Sequence, residues 1–355
     1  MNESKINGKN KVLDFRSDTF TLPTQEMKEA IVSAPLGDDV AGEDETVNKL
    51  ERITASMFKK EAALLVTSGT QGNLISILAQ TDQRGSEIIL NNESHIAYYE
   101  VGGLAAIASV MPKLLPSLDN TGYITPEQVL KNIRSEDIHF PRTSMISLEN
   151  THNRAGGTVF TVNQMDSIGK IATENKIGFH VDGARIFNAA IALDISVAEL
   201  TKTTSTCTFC LSKGLSCPIG SIIVGNHEII SKARKLRKML GGGMRQAGII
   251  AAPGIIALNN IHKLKNDHEN AKKLAKGILN EKLDQTKVKI PTTNILLLET
   301  KYNAQLLMEK LKKESIKAYS MSDTIMRFVT HRHHTKEDIE EMLSRILPIL
   351  KSFEQ

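Results

Sequence analysis

Apolar residues recur along this chain with two periods, and the alternation between them sets out the fold. Met27, Ile31 and Ala34 share one side of a helix that opens at Pro23 and runs to about Ser33. Helical spacing returns over residues 46–58, 74–80, 96–101, 125–133, 162–175 and 227–240. Between these segments, short apolar runs bounded by turn residues predict strands at 61–66, 87–90, 144–148, 177–182, 205–211 and 221–224. Strands alternating with helices imply an α/β architecture built on a large, mostly parallel sheet. Gly241, Gly242 and Gly243 interrupt the pattern where a helix interior cannot continue, and a further helix runs through Leu264. Beyond about residue 261 the pattern becomes that of a smaller α+β unit. It has a charged helix to about 283, strands at 288–290, 295–298 and 326–330, and helices at 304–313 and 336–350. The expected division is 1–260 for the large domain with its amino-terminal segment and 261–355 for the small one, with residues 1–11 a loose leader.

Composition narrows the partners. Of 355 residues, 41% are hydrophobic and 24% charged, which suits a large packed core and excludes a disordered chain. The 44 basic and 40 acidic residues nearly cancel and alternate in sign along helices, so a nucleic-acid partner is not expected. The densest basic run, 232–238, reads mainly as a solvated helix face. No apolar run has the length of a membrane span and the amino terminus is polar, so the expectation is a cytoplasmic protein without a membrane partner. The three cysteines, Cys207, Cys210 and Cys217, are too few and too clustered for a disulfide framework and read as packing. No metal site is expected. The acidic loop 37–45 lacks the ligand pattern of a calcium loop and reads as a helix entry, and His331, His333 and His334 read as a surface loop.

Chemistry enters at two strand ends. Lys213 stands among small residues and a proline between the strands at 205–211 and 221–224, where buried walls disfavour a charged amine and make it a candidate nucleophile. A lysine that snorkels out of a sheet end fits this stretch alone equally well. Upstream, the strand 177–182 ends in Asp182, and a small-residue turn leads to Arg185. Ligands of open α/β sheets gather at the carboxyl ends of strands. An amine and an acid there suit pyridoxal phosphate, which needs the one for a Schiff base and the other to keep its ring nitrogen protonated. Small residues from Thr67 to Asn73, between a strand and a helix, could cradle a phosphate. His95 lies at a strand-to-helix junction suited to covering a ring, and Glu149, Asn150, Thr151, His152 and Asn153 cluster at another strand end.

Taken in order, these residues resemble the low-specificity L-threonine aldolases. The resemblance is carried by Phe15-Arg16-Ser17-Asp18-Thr19, Gly37-Asp38-Asp39-Val40, Ser68-Gly69-Thr70, Leu148-Glu149-Asn150-Thr151-His152-Asn153, His180-Val181-Asp182-Gly183-Ala184-Arg185, Leu211-Ser212-Lys213-Gly214-Leu215 and Gly241-Gly242-Gly243-Met244-Arg245-Gln246. It implies a fold-type-I pyridoxal phosphate enzyme, usually a homotetramer with sites at subunit interfaces. It also implies roles. Lys213 is matched to the Schiff-base lysine, Asp182 to the ring-nitrogen partner, Gly69 and Thr70 to phosphate binders, His95 to the stacking histidine and His152 to a second active-site histidine. Ser17, Arg185 and Arg327 match groups that hold the substrate carboxylate, and Lys238 and Arg245 match cations that reach a neighbouring subunit's phosphate. The chain departs from the family at Ala41, where a tyrosine is usual, and at Glu45, where a proline is usual, so its substrate preference need not follow the family's. The implied reaction is cleavage of a β-hydroxy-α-amino acid to glycine and an aldehyde, with His95 or His152 as the base. An aminotransferase or a β-eliminating lyase on the same fold is the alternative.

Overall fold

The computed structural model describes residues 11–81 and 83–354; apart from Lys11, the leader expected over 1–11 lies outside them. In chain order the elements begin with β1 (Leu13–Asp14), α1 (Gln25–Ser33), α2 (Glu45–Phe58), β2 (Ala62–Val66), α3 (Gly69–Gln80), β3 (Glu87–Asn91), α4 (His95–Tyr98) and α5 (Gly103–Ala106). They continue with β4 (Met111–Leu115), α6 (Pro126–Asn132), β5 (Thr143–Glu149), α7 (Val162–Glu174), β6 (Gly178–Asp182), α8 (Ile186–Leu193), α9 (Val197–Leu200), β7 (Thr206–Cys210) and β8 (Ser221–Gly225). After α10 (His227–Met239) and α11 (Gly248–Asn259) come α12 (Leu264–Leu279), β9 (Thr286–Val288), β10 (Ile295–Thr300), α13 (Ala304–Lys313), β11 (Ile316–Lys317), β12 (Tyr319–Ser322), β13 (Ile325–Val329) and α14 (Lys336–Lys351). These fall into two compact units, one of residues 22–262 and the other of residues 263–354 together with 11–21.

Side-chain caps fix the starts of the helices that flank the first strands of the large unit. Thr24 accepts the Met27 N–H, so α1 starts after it and not at Pro23. Asp44 accepts from Thr46 and Val47 at the start of α2. Ser68 accepts from Gln71, which starts α3 at Gly69, five residues before the apolar spacing announces it.

The large unit is organised by a seven-stranded sheet of order β2-β8-β7-β6-β5-β3-β4. β4, β3, β5, β6 and β7 pair in parallel, whereas β8 is antiparallel to both β7 and β2. Every strand except β8 therefore runs in one direction, and the carboxyl ends of β2, β3, β5, β6 and β7 open on one edge. The register places Glu149 opposite Asp182 and Asp182 opposite Thr208. β4, which the sequence reading did not find, tolerates Pro112 because it is an edge strand.

In the small unit an antiparallel sheet of order β12-β13-β10-β9 buries Leu296, Leu298, Met326 and Phe328 against Leu274, Leu307, Leu311, Ile339, Met342 and Ile346 of its helices. β1 pairs in parallel with β11, so Leu13 and Phe15 belong to this core. The surface loop expected at His331–His334 is corrected here, because His331 and His334 are 3% and 7% exposed. His334 stacks on Phe15, and the Nε2 atoms of His331 and His334 both meet the backbone carbonyl of Asp14. All three cysteines are buried and unpaired, in keeping with packing. No described helix is long and apolar enough to cross a membrane.

Candidate active site

Five strand ends deliver the large unit's chemistry to one edge of the sheet. Beyond β2, Ser68 caps α3, and the first N–H groups of that helix face outward without helical partners. A Cβ on Gly69 would stand 2.9 Å from Cys210 Sγ, and one on Gly72 would stand 2.5 Å from Thr208 Cγ2. Only glycine lets the helix start press this closely on β7. The turn is braced from behind: Glu51 accepts the Leu65 N–H, buried Arg237 donates to the Leu65 carbonyl and to Asp39, and Gln71 accepts the Thr67 N–H. Arg237 is the exception to the mainly solvated face of residues 232–238: Lys232, Lys235 and Lys238 are exposed, whereas Arg237 is only 2% exposed. The glycine run packs here as well, with a Cβ on Gly242 falling 2.4 Å from Gln71 Nε2.

At the end of β6, Asp182 is buried and accepts two hydrogen bonds, from Ala184 N at 3.1 Å and from Asn73 Nδ2 at 2.9 Å. The same Asn73 nitrogen donates to Glu100 Oε1 at 2.8 Å, and that oxygen lies 2.9 Å from His95 Nδ1. His95, Glu100 and Asp182 place ligand atoms within 4.8 Å of one another, a spacing compatible with a metal ion, but the Asn73 amide already donates to both acids. Burial raises the Glu100 pKa above the ordinary value, and the Asp182 charge adds to this. Burial works to lower the His95 pKa, but the hydrogen bond to Glu100 and the charges of Asp182 and Glu100 outweigh it and hold the imidazole above its usual value. Beneath them His180 is completely buried, and desolvation pushes it down to about 4.

Lys213 follows β7 in a loop closed by Ser216 N donating to its carbonyl. It is partly buried, and its charge acts on His95. Arg185, buried at the start of α8, donates to Asn153 Oδ1 at 3.4 Å. Lys213, Asp182, His95 and Arg185 thus belong to one edge of one sheet.

His152 differs. It is fully buried, Ala155 N donates to its Nδ1, and its Nε2 therefore carries the proton toward Asn91 Oδ1 at 3.1 Å. Lys238 is exposed beside Gly243, and Arg245 donates to Asp38 of its own acidic loop. Ser17 and Arg327 lie in the small unit, where Arg327 donates to the Arg16 carbonyl. Asn73, Glu100 and His180 escaped the sequence reading. The available signals were the two-residue spacing of His180 and Asp182, which puts both on one strand face, and a polar stripe along α3.

A parallel sheet with chemistry at its carboxyl edge, together with a separate small antiparallel unit, is the architecture of the fold-type-I enzymes. The chain belongs to the beta-eliminating lyase family, whose model matches residues 14–302. It is 41% identical over 339 residues to low-specificity L-threonine aldolase 1 of Arabidopsis thaliana, covering 94% of each chain. It is 40% identical over 333 residues to the low specificity L-threonine aldolase of Escherichia coli strain K12, covering 93% of this chain and 97% of that one. The Leishmania major threonine aldolase structure superimposes with a TM-score of 0.82 at 17% identity, over 97% of this chain and all of that one, a likeness of fold.

Proposed function

We propose that this protein is a pyridoxal phosphate-dependent carbon–carbon lyase that cleaves L-threonine, L-allo-threonine and related β-hydroxy-α-amino acids to glycine and an aldehyde. The observation that carries this reading is the convergence of Lys213, Asp182, His95 and the start of α3 on one sheet edge. The donor set suits the cofactor: Lys213 offers the amine, Asp182 a buried acceptor for a ring N–H, and Gly69 and Thr70 the helix start for a phosphate. When bound, pyridoxal phosphate supplies the sink for the electron pair released at Cα.

The chain's own residues do the rest. Arg185 holds the substrate carboxylate, with Ser17 and Arg327 as further carboxylate-binding groups. His95 accepts the β-hydroxyl proton as the Cα–Cβ bond breaks, and a proton returned to Cα completes glycine. His95 is favoured over His152 because Glu100 occupies its Nδ1 and leaves Nε2 for the substrate, whereas both His152 nitrogens are engaged inside the fold. Lys238 and Arg245, both exposed, are assigned to a neighbouring subunit's phosphate in a homotetramer, and the protein to the cytoplasm.

The purified protein should show a visible absorption band and release acetaldehyde and glycine in equal amounts from L-allo-threonine, and Lys213→Ala should abolish both properties. Pyruvate with ammonia would move the reading to β-elimination, and amino-group transfer would make it an aminotransferase. No band after addition of the cofactor would overturn the role of Lys213.

A further inference from the structure

Asn73, Ser76 and Gln80 recur along α3 at spacings that put them on one stripe, against β6 and β7. A buried chain of hydrogen bonds runs along that stripe, and its direction can be worked out. At one end Gln80 Nε2 donates to the Ser76 carbonyl, which can only accept, so the Gln80 amide orientation is fixed. The same nitrogen donates to Thr206 Oγ1 at 2.9 Å. At the other end Asn73 Nδ2 faces the carboxylates of Asp182 and Glu100, which fixes that amide too and leaves its Oδ1 as an acceptor. His180 Nε2, 3.1 Å from Asn73 Oδ1, must then carry the proton. A completely buried imidazole with a pKa of about 4 holds only one proton at neutral pH, so its Nδ1 accepts. The Thr206 hydroxyl, 2.8 Å away, has to donate to it. Gly178 makes room for the first link, since a Cβ there would stand 2.8 Å from Gln80 Oε1.

We propose that Gln80, Thr206, His180 and Asn73 form a one-way chain of donors that ends on Asp182 and Glu100, orienting the first as an acceptor for the bound cofactor's ring and the second as an acceptor for His95. The part concerning the ring rests on the cofactor reading above. All four are positioning residues, and Thr206 and Gln80 reach Asp182 only through the others. Asn73 has a special place, because one amide nitrogen serves both acids and ties the group that charges the ring to the group that sets the His95 tautomer.

Two measurements on the full-length protein test this. With nitrogen-15-labelled histidine, long-range nitrogen–proton correlation spectra should show His180 as the neutral Nε2–H tautomer at neutral pH; the Nδ1–H tautomer would overturn the chain's direction. This reading does not depend on the cofactor. In the second, Thr206→Val removes one link without touching the site. It should weaken pyridoxal phosphate binding to the stripped protein about fivefold, as expected for one lost buried hydrogen bond, and shift the bound cofactor's visible band, while Thr206→Ser restores both. Wild-type affinity and an unshifted band in a folded Thr206→Val would overturn the positioning role. Should Thr206→Val fail to fold by circular dichroism, Gln80→Met breaks the chain at its half-buried end and should weaken binding about twofold; no change there would overturn it equally. Failure of the wild type to bind the cofactor at all would sink the cofactor reading and the ring-orienting role with it, and leave the direction of the chain to the spectra.

Discussion

In the small unit His331 and His334 both point Nε2 at the Asp14 carbonyl, at 3.1 Å each, while His331 Nδ1 accepts the His333 backbone N–H and His334 Nδ1 accepts the His331 backbone N–H. His334 lies face to face with Phe15, with ring centroids 4.0 Å apart. In the large unit His95 also has Nδ1 occupied, by Glu100, but no hydrogen bond to its Nε2 is seen among the described residues, and its ring is partly exposed. Both regions bury histidines near carboxylates. One closes every ring nitrogen onto its own backbone and packs the ring; the other leaves a nitrogen open beside Lys213 and an acid. Burial and displaced pKa values mark both, so the open valence is the feature that points to chemistry.

Breaking the large-unit side should give the largest effects. Lys213→Ala is expected to abolish turnover, and His95→Ala should lower kcat/KM by roughly 10²–10⁴-fold, the usual contribution of a general base, with little change in Tm. An unaltered rate for His95→Ala would return the base to His152. On the other side, Phe15→Ala removes the partner on which His334 stacks and should cost about 3–5 kcal/mol in chemical denaturation. Its effect on kcat should be small by comparison.

The two regions also separate by pH. Burial, reinforced by His331, pushes His334 down to about 3, below the ordinary value of 6.5. A histidine depressed in this way stays neutral when folded while the unfolded chain takes up a proton. Its contribution is therefore full above about pH 6.5 and is lost progressively as pH falls toward 3. His334→Phe, which keeps a ring on Phe15, should flatten the fall of Tm below pH 6.5; an unchanged slope would remove His334 from the account. The smallest effect is expected at the loop. Ala41 is exposed where the family usually carries a tyrosine, and Ala41→Tyr should leave cofactor binding intact while changing relative rates on bulky and small substrates. Equal relative rates would show that position 41 does not shape the pocket.

Much of the candidate site was legible because strand ends announce themselves: Asp182 and Lys213 each terminate or follow an apolar run, and Ser68 to Thr70 follow another. The parallel order of the sheet followed from strands alternating with helices. What was not legible depends on pairing across the chain. Nothing local marks Asn73 as the partner of Asp182, 109 positions away, or Arg237 as the one member of a basic run that turns inward to cap Leu65. His331 and His334 looked like loop residues because their burial comes from Phe15, on a segment more than three hundred positions upstream. The edge strand β4 was hidden by Pro112 and by its exposed residues.

The close seating of α3 on β7 also governs how this protein can be redesigned. Positions 72 and 208, and likewise 69 and 210, share one volume, so a substitution at either member constrains what its partner can be. Libraries that vary these pairs one residue at a time will return mostly failures, and the pairs must be varied jointly because their effects will not add. Exposed positions 40, 41 and 43 of the acidic loop carry no such coupling to the sheet and can be diversified singly.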